Sequence, residues 1–289
     1  MNAVTLLTPE LKTRIVTAVV LAVIVIATLA AASTALWAFL VLVFCLAAGW
    51  ECLRLIPNLS FAAKASSWAC ILGGLGFLAF ALFGNDVASR APLISKALTG
   101  LLVLASAFWL FVVPLQVRSH SIMIRSWWAR LTVPLLICSA WLAAVVLQRS
   151  GTALLLAVVM TTVVADISAY FVGRTFGRVK LAPSISPGKT REGAIGGVVA
   201  ASIWVALMAW YLELVGGVSG LFLAALAGAF LGAFAVLGDL WESLLKRQAG
   251  VKDSSQLLPG HGGVLDRMDA QFAVLPLATL LLTQVAPLW

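Results

Sequence analysis

Residues Ile15 to Ala32 are eighteen consecutive uncharged positions, nearly all aliphatic or alanine, and that stretch constrains the fold more than any other feature of the chain. About 20 apolar residues in a helix cross the hydrocarbon of a bilayer, where every backbone N–H and C=O must be satisfied within the segment. Runs of the same kind recur at about 35–55, 67–84, 98–116, 131–148, 152–173, 193–214, 220–244 and 270–287. Only 10% of the residues are charged and mean hydropathy is +1.08, against about 25% charged in soluble domains. The expected fold class is therefore all-α: a polytopic integral membrane protein of about nine transmembrane helices with a cytoplasmic N-terminus. The Ala-Ala-Ser-Thr-Ala after the first run resembles a peptidase site, but the run exceeds the ~7–15 residues of a signal-peptide core, so an uncleaved first helix is expected.

Orientation follows from the basic residues, which concentrate on cytoplasmic loops. With nine spans, the inside set is Lys12, Arg14, Arg54, Lys64, Arg118, Arg125, Arg130, Arg174, Arg178, Lys180, Lys189, Arg191, Lys246, Arg247, Lys252 and Arg267, while Arg90, Lys96 and Arg149 fall outside. A miscounted span would scramble that segregation. The net charge of +8 is accounted for by this asymmetry, and no aromatic-basic motif for nucleic acid is present. The expected location is the cell inner (plasma) membrane, multi-pass.

Cys45, Cys52, Cys70 and Cys138 are scattered through apolar runs without CxxC spacing and read as small buried hydrophobes. Glu51 is the exception in the polar-poor first half; with Arg54 at i,i+3 it reads as a structural ion pair, the alternative being a role in a site. The Arg118–Arg130 loop interleaves arginines with Trp127 and Trp128, a composition suited to the lipid headgroup region. The expected division is 1–150 as a membrane scaffold with oligomer contacts and 151–289 as the catalytic half.

Charge gathers late in the chain. Gly238 to Asp269 holds nine of the thirty charged side chains (Asp239, Glu242, Lys246, Arg247, Lys252, Asp253, Asp266, Arg267 and Asp269) between two apolar spans. Charges beside a bilayer are costly unless they pair, face water or bind an ion, so such a cluster marks a functional site. If the eighth helix continues past Leu237, Asp239, Glu242, Ser243 and Lys246 share one face. Glycines around His261 allow close approach of backbone amides to an anion. Carboxylates with little sulfur or imidazole nearby suit a hard ion such as Mg2+. In the sixth span Asp166 lies about 12 Å inside the cytoplasmic edge by helical rise and shares a face with Tyr170. In the following loop Ser186 and Pro187 read as N-cap and N1 of the next helix. A helix start flanked by Lys189 and Thr190 is either an anion site or a basic inner loop obeying topology.

Carboxylates, cations and a glycine-rich turn together suit phosphoryl or nucleotidyl transfer, in which polyphosphate and acceptor repel until neutralised. A longer pattern then becomes visible. Ser243-Leu-Leu-Lys246-Arg247, Lys252-Asp253 and Pro259-Gly-His261-Gly262-Gly263-Val-Leu-Asp266-Arg267-Met-Asp269 resemble the diagnostic motif of the phosphatidate cytidylyltransferase (CDP-diacylglycerol synthase) family. The resemblance extends to Asp166-Ile-Ser-Ala-Tyr170-Phe-Val-Gly173-Arg174, Leu181-Ala-Pro183 and Ser186-Pro187-Gly-Lys189-Thr190-Arg-Glu192-Gly193, with Ile167 and Arg191 as departures. It covers about the last 125 residues, the N-terminal helices matching in hydropathy and Trp50-Glu51. It implies a Mg2+-dependent membrane enzyme, a homodimer in the family, that joins CTP to phosphatidic acid at a site facing the cytoplasm; a second, monovalent cation is left open. Carried over by similarity, Asp239 and Asp266 hold the metal. Lys246, Arg247, Lys252, Asp253, His261 and Arg267 join them in catalysis, while Asp166, Tyr170, Ser186, Pro187, Lys189, Thr190, Glu192, Gly262, Gly263 and Asp269 contact substrate. A cytidylyltransferase for another lipid phosphate and an ion-coupled transporter using Asp166 are the competing readings.

Overall fold

The structure, a computed structural model, describes residues 9–84, 87–122 and 126–284. Its helices are α1 (Pro9–Ala30), α2 (Thr34–Leu55), α3 (Phe61–Phe83), α4 (Val87–Ala107), α5 (Val113–Ser119), α6 (Ser126–Ser150), α7 (Thr152–Phe176), α8 (Arg191–Tyr211), α9 (Gly217–Gln248) and α10 (Leu265–Leu282). A hairpin of β1 (Lys180–Ala182) and β2 (Ser186–Thr190) lies between α7 and α8.

Among the described residues eight helical stretches are long and apolar enough to cross a membrane, and they match the first eight expected spans. The expected ninth span falls on α10, which is not one of those eight and opens with Asp266, Arg267 and Asp269; positions 285–287 of its expected range lie outside the described residues. The fourth span runs unbroken from Leu93 to Ser119 through a π-helical turn at Phe108–Val112. Pro114 follows immediately, and a proline with no N–H to donate and a ring that crowds the carbonyl four residues back accounts for the widened turn. Of the loop expected at the headgroup level, residues 123–125 and the side chain of Trp127 lie outside the described residues.

The centre of the bundle is α6, which packs against α2, α3, α4, α7 and α10. Two tryptophans lock α2 to α6 reciprocally: Trp37 Nε1 donates to the Ala144 carbonyl at 3.0 Å and Trp141 Nε1 to the Ala38 carbonyl at 2.9 Å. A buried indole N–H without such a partner would be expensive in hydrocarbon. One continuous buried cluster runs from Trp37 to Ala278, so the halves before and after residue 150 share a core.

Helices α7, α8 and α9 pack closely through small residues. A Cβ on Gly228 would lie 2.6 Å from the Ala201 carbonyl oxygen, and one on Gly232 would lie 2.7 Å from Ala201 Cβ. This GxxxG pair therefore serves packing inside the chain, where close backbone approach substitutes for a hydrophobic driving force that lipid cannot supply.

Two expectations are corrected here. Ser186 and Pro187 do not begin a helix; they lie in β2, and the N-cap of α8 is Thr190, whose Oγ1 accepts from the Gly193 N–H at 3.1 Å. The hairpin wins because Ile185 and Ala182 find buried contacts with Leu240 and Leu244 of α9, which a helix starting at Pro187 would give up. Cys45, Cys52 and Cys138 are buried as expected, but Cys70 is exposed on the outer surface of α3.

Candidate active site

As expected, α9 continues past Leu237 and keeps one polar face. Ser243 Oγ donates to Asp239 Oδ1 at 3.2 Å and Lys246 Nζ lies 2.6 Å from Glu242 Oε2, two i,i+4 pairs on successive turns. Around this face the structure forms two charge groups.

The first lines a cleft of about 430 Å³ bounded by α7, the hairpin, the start of α8, and α9. Asp166, Tyr170, Arg174, Lys189, Thr190 and Asp239 all face it. Lys189 of β2 makes an ion pair with Asp239, and Arg174 Nη1 donates to the Tyr170 hydroxyl at 3.0 Å. Asp166, Asp239 and Asp269 are near enough to repel one another electrostatically, with Lys189 opposing that repulsion. Asp269 is brought in by a close crossing of α9 and α10 at Gly238, where a Cβ would fall 2.7 Å from the Asp269 carbonyl oxygen.

The second group is more enclosed. Lys246 Nζ sits between Glu242 Oε2 and Asp266 Oδ1, 2.6 Å from each. Asp266 Oδ2 accepts from Gly263 N at 2.8 Å and from Ser254 N and Ser254 Oγ at 3.0 Å. Asp266 precedes the apolar part of α10. Its Oδ1 faces the Lys246 ammonium and its Oδ2 accepts three donors, contacts that favour the ionised carboxylate.

The other expected residues are distributed unevenly. Arg247 braces the hairpin and loop, its Nε donating to the Ile185 carbonyl at 3.2 Å and Nη1 to the Val251 carbonyl at 3.3 Å. Arg267 donates to the His261 carbonyl at 2.7 Å through Nη2, closing the turn that contains Gly260 and Gly262 at positive φ. Nδ1 of His261 is buried and makes no hydrogen bond among the described residues. Lys252, Asp253 and Pro187 are exposed. Glu192 lines a separate groove on the far side of α7 and α8, and its carboxylate accepts from the Val179 N–H at 3.2 Å, which makes it a clasp on the hairpin.

Three residues escaped the reading of the sequence. Glu242 shares the face of α9 but carried no role there, and Ser254 carried none either. Glu51 was visible as a lone acid in an apolar run, yet its expected partner is wrong. Arg54 lies over the Trp50 ring, 5.5 Å from its centroid, and Glu51 instead binds residues 254–265. The tandem Ser254-Ser255 ahead of α10 was the available clue.

Among the described residues no three His, Cys, Asp or Glu side chains group closely enough to hold a metal ion. The donor chemistry still suits one: Asp239 and Asp266 offer hard oxygens, and each already holds an ammonium group, Lys189 and Lys246 respectively. Mg2+ commonly uses one or two carboxylates with substrate phosphates and water completing its shell, so one carboxylate of either group is enough to anchor it.

A membrane bundle with a cleft of carboxylates and cations at one end of its helices belongs to the class of membrane enzymes that handle phosphate esters. A model of the cytidylyltransferase family matches residues 12–285. The phosphatidate cytidylyltransferase of Pseudomonas aeruginosa is 40% identical over 191 residues, covering 64% of this chain and 70% of that protein. Those of Haemophilus influenzae and Helicobacter pylori are 48% identical over 130 residues and 44% identical over 133 residues, alignments spanning 44% and 48% of those proteins. The chain belongs to the cytidylyltransferase family, and it is a nucleotidyltransferase.

Proposed function

We propose that this site joins CTP to phosphatidic acid, giving CDP-diacylglycerol and pyrophosphate, at the cytoplasmic face of the inner membrane. One observation carries the reading: motif residues 23 and 50 positions apart along the chain, Asp166, Lys189 and Asp239, converge on one cleft. A phosphate oxygen of the lipid attacks the α-phosphorus of CTP, a new P–O bond forms, and the bond to the β-phosphate breaks with pyrophosphate as leaving group. Because the lipid phosphate is already anionic at neutral pH, the protein needs no strong base. Its task is to hold two anions together and steady the leaving group.

Lys189 and Arg174 are the cations facing the cleft, and Tyr170 orients Arg174 through its hydroxyl. Thr190 caps α8, whose first N–H groups offer a further anion contact. Lys246, held between two carboxylates, is the cation we assign to the triphosphate. Gly262, Gly263 and His261 shape the turn over it. Asp239 and Asp266 would hold a Mg2+ ion, which neutralises developing charge on the pyrophosphate. The first half of the chain serves as the scaffold, and lipid enters the cleft sideways from the inner leaflet.

The test is pyrophosphate release from CTP by the purified protein in detergent, with and without phosphatidic acid. Release that depends on phosphatidic acid is expected. Release independent of lipid, or supported by another lipid phosphate but not by phosphatidic acid, overturns the assignment.

A further inference from the structure

Glu51 is fully buried near the end of α2, more than two hundred positions from every group it binds. Its Oε1 accepts from Ser255 Oγ at 2.5 Å and Val264 N at 3.0 Å, and its Oε2 from Ser254 Oγ at 3.0 Å and Leu265 N at 2.6 Å. All four acceptor positions of the carboxylate are thus used. Val264 and Leu265 open α10, and their N–H groups are among those that a helix cannot satisfy internally. Val264, the N-cap, offers no side chain to cap them. The start of α10 is therefore capped by a residue of α2.

This cap is interleaved with the bonds that hold Asp266. Gly263 N goes to Asp266, Val264 N and Leu265 N go to Glu51, and Ser254 Oγ lies 3.0 Å from both carboxylates. A serine hydroxyl has one proton, so the two acids compete for it and neither can move without disturbing the other's contact. Gly263 leaves no room for a side chain beside them: a Cβ there would lie 2.6 Å from Glu51 Oε1 and nearer still to Ser254 Oγ.

We propose that Glu51 is a positioning residue for Asp266, holding its carboxylate toward Lys246 and the ion site by pinning residues 254 and 263–265. The inference rests on the proposed role of Asp266 and extends it to a residue outside the motif. Glu51→Gln puts an amide NH2 where hydroxyl and N–H donors now find an oxygen, which breaks the clamp while keeping its volume.

The experiment uses the full chain in detergent, with Glu51→Gln and, because that variant can fail to fold, Ser254→Ala. Three quantities are read: the Mg2+ concentration for half-maximal turnover, the affinity for Mn2+ measured by its EPR signal without substrates, and the KM for CTP. Outer-sphere partners of metal ligands commonly cost about 10–100-fold in metal affinity or activity. A rise of about tenfold or more in the first two is expected, with the KM for CTP nearly unchanged. The double variant should cost less than the sum of the two single effects, since the two residues share one hydroxyl contact. Folded variants with a lowered melting temperature but unaltered Mn2+ affinity and Mg2+ requirement would reduce Glu51 to a structural cap and overturn the proposal. Asp266→Asn tells the two levels apart: if it binds Mn2+ and turns over normally, the reading of the site itself fails, whatever Glu51 does.

Discussion

Lys189 and Asp239 meet as an ion pair although one lies on a short hairpin and the other on a membrane helix. Each side chain keeps about a quarter of its surface open, 26% and 27%. A partly solvated pair of this kind contributes little to stability, on the order of 0–1 kcal/mol. The pair holds the Lys189 ammonium in the lining of the cleft, where under the proposed function the phosphates of a substrate would take it.

That assigns Lys189 a catalytic cost much larger than its structural one. Lys189→Ala should lower pyrophosphate release by about a hundredfold or more, the scale of losing one preorganised group that stabilises transition-state charge. Its melting temperature in detergent should move by only a few degrees. Steady-state kinetics and a thermal melt on the same preparation check both halves.

Lys246 should behave in the opposite proportion. It separates Glu242 and Asp266, and Lys246→Met leaves two buried acids facing each other. Removing one partner of a buried charge network costs about 3–5 kcal/mol, so this variant should lose stability as well as turnover. Denaturant unfolding followed by tryptophan fluorescence gives the magnitude. The double variant Glu242→Gln with Lys246→Met should recover part of the stability and none of the activity.

The reciprocal tryptophans test the scaffold alone. Trp37→Phe and Trp141→Phe each remove one buried hydrogen bond between α2 and α6 and should cost about 1 kcal/mol apiece. KM for CTP should stay at the wild-type value in both.

Gly228→Leu and Gly232→Leu ask whether the small-residue pair on α9 joins helices within the chain or between chains. Added bulk against Ala201 should destabilise the fold by about 1–3 kcal/mol and reduce activity, because α8 and α9 both wall the cleft. Size-exclusion chromatography in detergent should show the same oligomeric state before and after. Dissociation with an unchanged melting temperature would place the pair at a subunit interface instead.

What could be read from the chain alone was whatever depends on neighbours along it. The spans were legible because a bilayer demands uninterrupted apolar length, and they appear within a few residues of expectation from Ile15 to Tyr211. The polar face of α9 was legible because helical periodicity brings Asp239 to Ser243 and Glu242 to Lys246 without help from any other element. Ser186 and Pro187 misled because local capping preference ignored what Ile185 gains by burial on α9. Glu51 misled because Arg54 is a turn away in sequence, whereas its actual partners are separated from it by 203 to 214 positions.

The sequence by itself thus determined a helical membrane protein and which of its segments gather charge. Only the tertiary structure decided how those charges divide, Lys189 with Asp239 in an open cleft and Lys246 with Glu242 and Asp266 in a closed one, and which scaffold residue caps α10. The reason is physical: burial and periodicity are written locally, but a hydrogen bond between distant segments exists only once packing has brought a donor and an acceptor to the same place.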